Sequence, residues 1–232
     1  MGGDIISRAV FRAALVAGLS YFLAVLWQTS QVSVGVSSDV RAVLIAWKGA
    51  GVALLAVWCA LQARSFDGWL IAAVMAFGAL GDVLLEAVGM TTGAVAFVVG
   101  HVLAMLLYFR NRRPQLTSSQ RLLAALVVPL LVIIAASLVL PKDMVPIAAY
   151  AVFVGAMAAS AWISHFPRYR VGIGAMMFLA SDLLIFAQMG VLAGSPVPGL
   201  LIWPLYFGGQ VLIAWGVVQT LAQDAPVNNP RS

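Results

Sequence analysis

Residues 69–88 read WLIAAVMAFGALGDVLLEAV, a run of twenty residues in which only Asp82 and Glu86 carry charge. About 20 mostly apolar residues in a helix cross roughly 30 Å of hydrocarbon, so this run is long enough for one membrane span. A carboxyl group inside a span is costly and usually faces a protein interior or a watery cavity. The run therefore predicts a membrane helix that buries Asp82 in a polar interior.

The composition shows that the rest of the chain has the same character. Of 232 residues, 63% are hydrophobic and only 9% are charged, and the mean hydropathy is +1.03. A soluble domain carries about a quarter charged residues, so this chain has too few to cover a globular surface in water. Cys59 is the single cysteine, which excludes an intrachain disulfide.

Comparable apolar runs divide the whole chain into membrane spans. They occupy about 11–28, 42–62, 69–88, 92–109, 122–140, 145–164, 171–188 and 198–221. The expected fold is an all-α, polytopic membrane protein with about eight transmembrane helices joined by short loops such as RSFDG, PKDM and AGSPVPG. We expect one integral membrane domain over 1–232. The basic loop 110–121 separates it into four-helix halves at about 1–113 and 114–222, and the tail 223–232 is expected to be disordered.

The distribution of basic residues predicts the orientation of these spans. One side of the membrane receives Arg8, Arg12, Arg64, Arg110, Arg112, Arg113, Arg121, Arg168, Arg170 and Arg231. The other side receives only Arg41 and Lys142. Because Lys and Arg accumulate on the cytoplasmic side, both termini are expected in the cytoplasm of a protein in the cell membrane. This bias explains the net charge of +5, and we expect no nucleic-acid partner.

A second carboxyl group repeats the pattern around Asp82. The stretch FLASDLLIFAQMG (178–190) places Asp182 after Ser181 and before an apolar triplet, as GALGDVLL places Asp82 after Gly81. At about 1.5 Å of rise per residue, both aspartates are expected in the outer half of the membrane. The recurrence is compatible with a weak internal repeat of the two halves.

Other polar side chains share that depth. They are Lys48 on helix 2, His101 on helix 4, Tyr150 on helix 6, and Tyr206 and Gln210 on helix 8. Scattered structural polar residues have no reason to agree in depth, so we expect one polar cavity bounded by helices 2, 3, 4, 6, 7 and 8. Helices 1 and 5 carry no comparable residue and are expected at the periphery.

Each of these residues also has a purely structural interpretation. The two aspartates can be packing anchors that bond to a hydroxyl group, His101 can be a satisfied core histidine, and Lys48 can form a structural ion pair. Glu86, near the outer end of helix 3, is better explained as an interfacial charge. Tyr206 and Gln210 favour orienting or substrate-binding roles over proton transfer.

Several common catalytic motifs are absent from the sequence. It contains no G-x-S-x-G motif, no Walker loop and no H-E-x-x-H motif. A zinc site would require three protein ligands, namely His101 and both aspartates, and their spacing does not support one. We therefore expect no metal and no cofactor.

At these residues the chain resembles the YhhN-like membrane proteins, the lysoplasmalogenase family. The matching segments are WKGA on helix 2, GDVLL on helix 3, FVVGH on helix 4, YAVFVGAMAASAW on helix 6, GAMMFLASDLLI on helix 7 and WPLYFGGQVLIAWG on helix 8. The family pattern usually has a proline after the helix-2 lysine and a tyrosine three residues after the helix-4 histidine. This chain has Gly49 and Ala104 there, and Tyr108 lies a turn further along the face of His101.

The resemblance implies an integral membrane hydrolase that cleaves the vinyl ether bond of lysoplasmalogens. The products would be a fatty aldehyde and a glycerophospho-head group, and the matching motifs make Asp82 and Asp182 the catalytic candidates. The supporting or substrate-binding candidates are Lys48, His101, Tyr150, Ser181, Tyr206 and Gln210. The expected partners are a lysophospholipid substrate and membrane lipid.

Two other classes of protein remain open. A small-molecule or lipid transporter also has repeated halves and midplane charges, but usually with matching Gly or Pro breaks in the two halves. The prolines within spans here, Pro129, Pro146 and Pro204, are unmatched. The third class is a non-catalytic lipid-binding or scaffold protein. The resemblance favours an enzyme, and the reaction that it implies needs one carboxylic acid and one carboxylate, which two aspartates can supply. A lysine beside Asp82 would favour Asp182 as the acid.

Overall fold

The computed structural model describes residues 2–30 and 38–224, and within them eight helices are long and apolar enough to cross a membrane. They are α1 (Gly2–Ser30), α2 (Ser38–Gln62), α3 (Phe66–Ala87), α4 (Met90–Arg110), α5 (Ser118–Leu138), α6 (Met144–Ile163), α7 (Ile173–Met189) and α8 (Pro196–Asp224). A π-helical turn, Arg168–Gly172, precedes α7. The predicted all-α, polytopic membrane fold is confirmed.

The helix ends differ from the predicted ends by a few residues. The segment RSFDG was expected to be a loop, but α3 already begins at Phe66. The reason is an N-cap, in which the Ser65 side chain accepts a hydrogen bond of 3.2 Å from the Gly68 amide. The predicted tail 223–232 begins inside α8, which continues to Asp224, and the rest of that tail lies outside the described residues.

The arginine-rich loops lie together at one end of the bundle. The Arg110 Nε donates to Asp67 Oδ1 over 2.7 Å, which ties the end of α4 to the start of α3. The Arg113 Nε donates to the Ser164 carbonyl over 2.6 Å, which joins the α4–α5 loop to the α6–α7 loop. The connections after α3, α5 and α7 therefore lie at the other end, which we call the opposite end.

The eighth helix has a central place in the bundle. It packs against α1, α2, α3 and α7, whereas α4 packs mainly between α3 and α6. The outward faces of α1 and α5 expose large apolar side chains, for example Leu19 on α1 and Ile133 on α5, which are 63% and 65% exposed. In a membrane such faces contact lipid, so the expected peripheral position is confirmed for α5, whereas α1 also packs against α2 and α8.

Two glycines bring α7 and α8 into backbone contact beside the predicted site. A Cβ atom added at Gly209 would lie 2.6 Å from the Gly174 carbonyl oxygen, and one added at Gly174 would lie 2.7 Å from the Gly209 oxygen. Small residues allow this kind of close approach between membrane helices. The contact sets the position of Asp182 on α7 relative to Tyr206 on α8.

Candidate active site

A cavity of about 360 Å³ in the half of the bundle toward the opposite end contains both aspartates. Asp82 and Asp182 are only 3% and 6% exposed, although both reach the cavity wall. Asp82 lies about 24 Å along α3 from its start, at 1.5 Å per residue. The polar residues of the lining are Tyr21, Lys48, Asp82, Glu86, Ser181, Asp182, Gln188 and Tyr206.

The Asp82 carboxyl group is held by a chain of hydrogen bonds from α8. The Tyr206 hydroxyl donates to Asp82 Oδ2 over 2.8 Å, and the Gln210 amide nitrogen donates to the Tyr206 oxygen over 3.4 Å. These two α8 residues are one helical turn apart, so they lie on the same face. Their side chains are buried, and Gln210 acts on Asp82 through Tyr206 and does not line the cavity.

The Asp182 carboxyl group is held by a similar chain from α6 and α4. The Tyr150 hydroxyl donates to Asp182 Oδ2 over 3.0 Å, and His101 Nε2 lies 3.3 Å from the same hydroxyl oxygen. Tyrosine has one hydroxyl proton, which is committed to Asp182. His101 must therefore donate from Nε2, and this fixes its neutral form as the Nε2-protonated tautomer.

The two hydrogen-bond chains contain the same kinds of residue in the same order, except for the last residue of each. In each of them a tyrosine donates to the Oδ2 atom of an aspartate and accepts from a third side chain. For Asp182 the third residue is the buried imidazole of His101. For Asp82 it is the buried amide of Gln210. The two carboxyl groups therefore have chemically different surroundings.

Lys48 forms its ion pair with Glu86 rather than with Asp82. The Lys48 Nζ atom lies 2.7 Å from Glu86 Oε1, and the two side chains are 16% and 40% exposed. The structural ion pair that the sequence left open for Lys48 is therefore present, with Glu86 as the partner. Glu86 is one turn beyond Asp82 on α3, so its longer side chain meets the lysine first. Lys48 remains in the lining of the cavity that holds both aspartates.

The cavity also contains residues that the sequence did not indicate. Tyr21 brings α1 into the lining, although no polar residue of helix 1 was expected there. Tyr21 lies ten residues into the predicted first span, about 15 Å from its start, and this depth was the signal that could have indicated it. On the other side, α6 reaches the cavity only through the Tyr150 bond to Asp182.

Aromatic rings form the wall behind the two carboxyl groups. The Phe178 ring lies 5.1 Å from the His101 ring and 5.3 Å from the Tyr206 ring, measured between centroids. Phe97 contacts both Phe178 and Tyr206 in edge-to-face geometry. These buried rings restrict the movement of both hydrogen-bond chains. Phe178 escaped sequence reasoning because an apolar residue in a membrane helix carries no local signal of a site.

Small residues on α3 provide the space that this arrangement needs. A Cβ atom at Gly78 would lie 2.8 Å from the Gln210 amide nitrogen, and one at Gly81 would lie 2.8 Å from the Phe97 ring. These glycines therefore admit the side chains of Gln210 and Phe97 from the neighbouring helices beside Asp82. Ser181, by contrast, donates its hydroxyl to the Phe178 carbonyl over 2.7 Å, so its proton is used within its own helix.

The fold and the site together define a class of protein, a multi-pass helical membrane protein with two buried carboxyl groups at one intramembrane cavity. A profile of the YhhN family matches residues 43–217, and the chain belongs to this family of lysoplasmalogenase-like membrane proteins. The match covers every candidate site residue. No curated protein and no solved structure matches the chain.

Proposed function

We propose that this protein is a membrane-embedded hydrolase that cleaves the vinyl ether bond of lysoplasmalogens. The substrate is an alkenyl glycerophosphoethanolamine or glycerophosphocholine, and the products are a fatty aldehyde and the glycerophospho-head group. Family membership supports the lysoplasmalogenase-type chemistry. The observation that carries the proposal is the presence of two buried aspartates at one cavity, each held by its own tyrosine.

The reaction divides into steps for which two carboxyl groups suffice. Asp182 donates its proton to the β-carbon of the vinyl ether, which leaves an oxocarbenium ion that the Asp82 carboxylate stabilises. Asp82 then takes a proton from the water that attacks the cation, and a hemiacetal forms. Asp82 returns this proton to the departing head-group oxygen while Asp182 takes the hemiacetal hydroxyl proton. The aldehyde is released and both groups regain their starting forms, a division of labour like that of inverting glycosidases.

Two asymmetries of the site support these roles. Lys48 lies on α2, which packs against the helix of Asp82, and its positive charge favours the ionised form of a carboxylate at the shared cavity. Asp182 is connected through Tyr150 to the buried imidazole of His101, and no lysine or arginine of α4, α6 or α7 lines the cavity. Asp82 is connected through Tyr206 to the Gln210 amide, which orients the tyrosine.

The cations at the cavity suit the phosphate of the head group. Lys48 lines the cavity, and Arg41, two turns earlier on α2, donates to the Glu86 carbonyl over 3.4 Å. These two positive side chains balance the carboxylates of Glu86 and the ionised Asp82, and both cations lie on α2. A phosphodiester is bound by such point charges and guanidinium groups. We infer that the head group binds beside α2, with the vinyl ether next to the aspartates.

Aldehyde release by the purified protein in detergent tests the proposed function. The vinyl-ether lysolipid is compared with its acyl counterpart, and we expect aldehyde only from the first. A transporter would need Asp82 or Asp182 for flux across a membrane and would form no product in detergent. If the vinyl-ether substrate stays intact after prolonged incubation with folded protein, the proposed hydrolase function is wrong and the transporter function is favoured.

A further inference from the structure

A second, largely apolar cavity adjoins the candidate active site. Its volume is about 560 Å³, and it lies between the first halves of α4 and α6, with α7 behind it. Most of its wall is aliphatic or aromatic, including Val95 and Val98 on α4 and Phe153 on α6. We call it the α4–α6 groove.

The groove and the active-site cavity meet at a reactive residue. The residues that line both are Leu85, Met90, Phe97, Asp182, Ile185 and Met189. All except Asp182 are apolar, so the junction is an apolar passage with one carboxyl group in it. Tyr150, which donates to Asp182, also lines the groove. The site thus has a charged compartment on one side of Asp182 and an apolar compartment on the other.

The groove opens sideways, toward the lipid. Val95 is 60% exposed and Phe153 is 37% exposed, although both are apolar and both lie within predicted spans. Val99 and Phe153 lie nine residues into their helices, about 14 Å from the opposite end at 1.5 Å per residue. An opening at this depth faces the hydrocarbon tails of one leaflet, because the headgroup region is nearer the helix ends.

We propose that the α4–α6 groove binds the hydrocarbon chain of the substrate and admits it from the membrane by lateral movement between α4 and α6. This proposal rests on the proposed function. The chain lies in the groove, the vinyl ether lies at the junction beside Asp182, and the phosphate lies beside Lys48. The order of polarity along a single-chain lysolipid thereby matches the order of the two compartments.

The proposal also predicts which substrates are excluded. A second long chain attached near the vinyl ether would have to enter the charged compartment around Lys48 and Glu86. An apolar chain placed beside this ion pair would remove water from the two charges and make no hydrogen bond to replace it, which costs free energy. A two-chain plasmalogen is therefore a poorer substrate than its lysolipid, and selectivity follows from the single groove.

Matched tryptophan substitutions on α4 test the groove. Val95 and Val102 are both exposed on this helix, at 60% and 45%, but only Val95 lines the groove. We expect Val95→Trp to lower the ratio of long-chain to short-chain kcat/KM about tenfold, equal to about 1.4 kcal/mol. This free energy is roughly that gained by burying two methylene groups of the substrate chain. Val102→Trp should leave the ratio unchanged, and equal ratios in the two variants would overturn the proposal.

A photoreactive lipid provides a readout that does not depend on hydrolysis. The probe is a saturated-ether lysophosphocholine with a diazirine at the end of its chain, applied to the native protein. Labelling should fall on the groove faces of α4 and α6, near Val99 and Phe153. Labelling spread evenly over the outer faces of α1 and α5 would show bulk lipid contact only and would reject the groove.

The two experiments separate the groove from the reaction. Labelling in the groove without aldehyde production would leave the binding site standing and reject the proposed hydrolysis. Aldehyde production without groove labelling, and with no difference between Val95→Trp and Val102→Trp, would retain the hydrolase and reject the groove.

Discussion

At the scale of single residues, the chemistry depends on which group meets each carboxyl. Asp82 and Asp182 occur in similar sequence surroundings, yet their third neighbours are an amide and an imidazole. Lys48, which the sequence places at the depth of Asp82, is paired with Glu86. Equivalent positions in two segments therefore carry different roles, and the difference is testable residue by residue.

The first prediction concerns the two carboxyl groups. Asp182→Asn and Asp82→Asn should each lower kcat for vinyl ether hydrolysis about 10²- to 10⁴-fold, the usual effect of losing a catalytic proton transfer. Asparagine keeps the size of the side chain, so the fold should survive. Asp224→Asn is the control, because Asp224 is exposed and pairs with His165 at the arginine-rich end, far from the cavity. Full activity in both asparagine variants would eliminate the carboxylate mechanism.

The second prediction concerns the tyrosines that hold the carboxyl groups. Tyr206→Phe removes a hydrogen bond to the Asp82 carboxylate, and Tyr150→Phe removes one to Asp182, which becomes charged as it gives up its proton. A bond to a charged group is worth about 1.5–3 kcal/mol, so each variant should lower kcat about 10- to 100-fold. Tyr108→Phe is a matched control, because the buried Tyr108 hydroxyl has no hydrogen-bond partner among the described residues. Measured kcat values for the three variants on one substrate decide the point. Equal losses in all three would mean that general packing, and not hydrogen bonding to the aspartates, is responsible.

At the scale of helices, the site is positioned by contacts between backbones. The approach of α7 to α8 at Gly174 and Gly209 leaves no room for a side chain between the two helices. Asp182 and Tyr206 lie on these same two helices, one to two turns from the contact. A change in helix spacing should therefore reach the active site without altering any residue of it.

The third prediction uses two adjacent glycines of α8. Gly209→Ala places a Cβ atom 2.6 Å from a backbone oxygen, which cannot yield, whereas the Cβ in Gly208→Ala lies 3.0 Å from the flexible end of Met177. We expect Gly209→Ala to cost about 1–3 kcal/mol of stability, seen as a lower Tm in detergent, and to reduce activity. Gly208→Ala should change both much less. Indistinguishable Tm values for the two variants would contradict the proposed tight contact.

At the scale of the whole molecule, eight spans require that alternate loops lie on opposite sides of the membrane. The structure places the arginine-rich loops together at one end, through bonds such as that from Arg113 to Ser164. The positive-inside bias assigns this end to the cytoplasm and the aspartate cavity to the outer half. The orientation in the cell remains a prediction.

Reporter fusions provide the test of this orientation. A reporter after Gln115, in the loop between α4 and α5, should read cytoplasmic. A reporter after Ser195, in the connection between α7 and α8, should read exterior. Three spans, α5, α6 and α7, separate the two positions, and an odd number of spans places them on opposite sides of the membrane. The same reading at both sites would overturn the arrangement of spans, and a reversal of both readings would place the cavity in the inner half.

The sequence by itself determined the number of spans, the class of fold and the set of candidate polar residues. These features are local, because twenty apolar residues must form a helix in lipid whatever their neighbours are. The cost of burying a carboxyl group is likewise visible at Asp82 and Asp182 without a structure. The eight spans and the peripheral position of α5 were predictable for this reason.

Only the tertiary structure decided which side chains meet. The bonds from Tyr150 to Asp182 and from Tyr206 to Asp82 join segments far apart in the chain, and Lys48 pairs with Glu86 rather than with either aspartate. Such pairs depend on how far each helix is rotated and shifted against its neighbours. The packing of whole helix faces sets these quantities, and no short stretch of sequence encodes them. The α4–α6 groove arises in the same way, as space left between two helices.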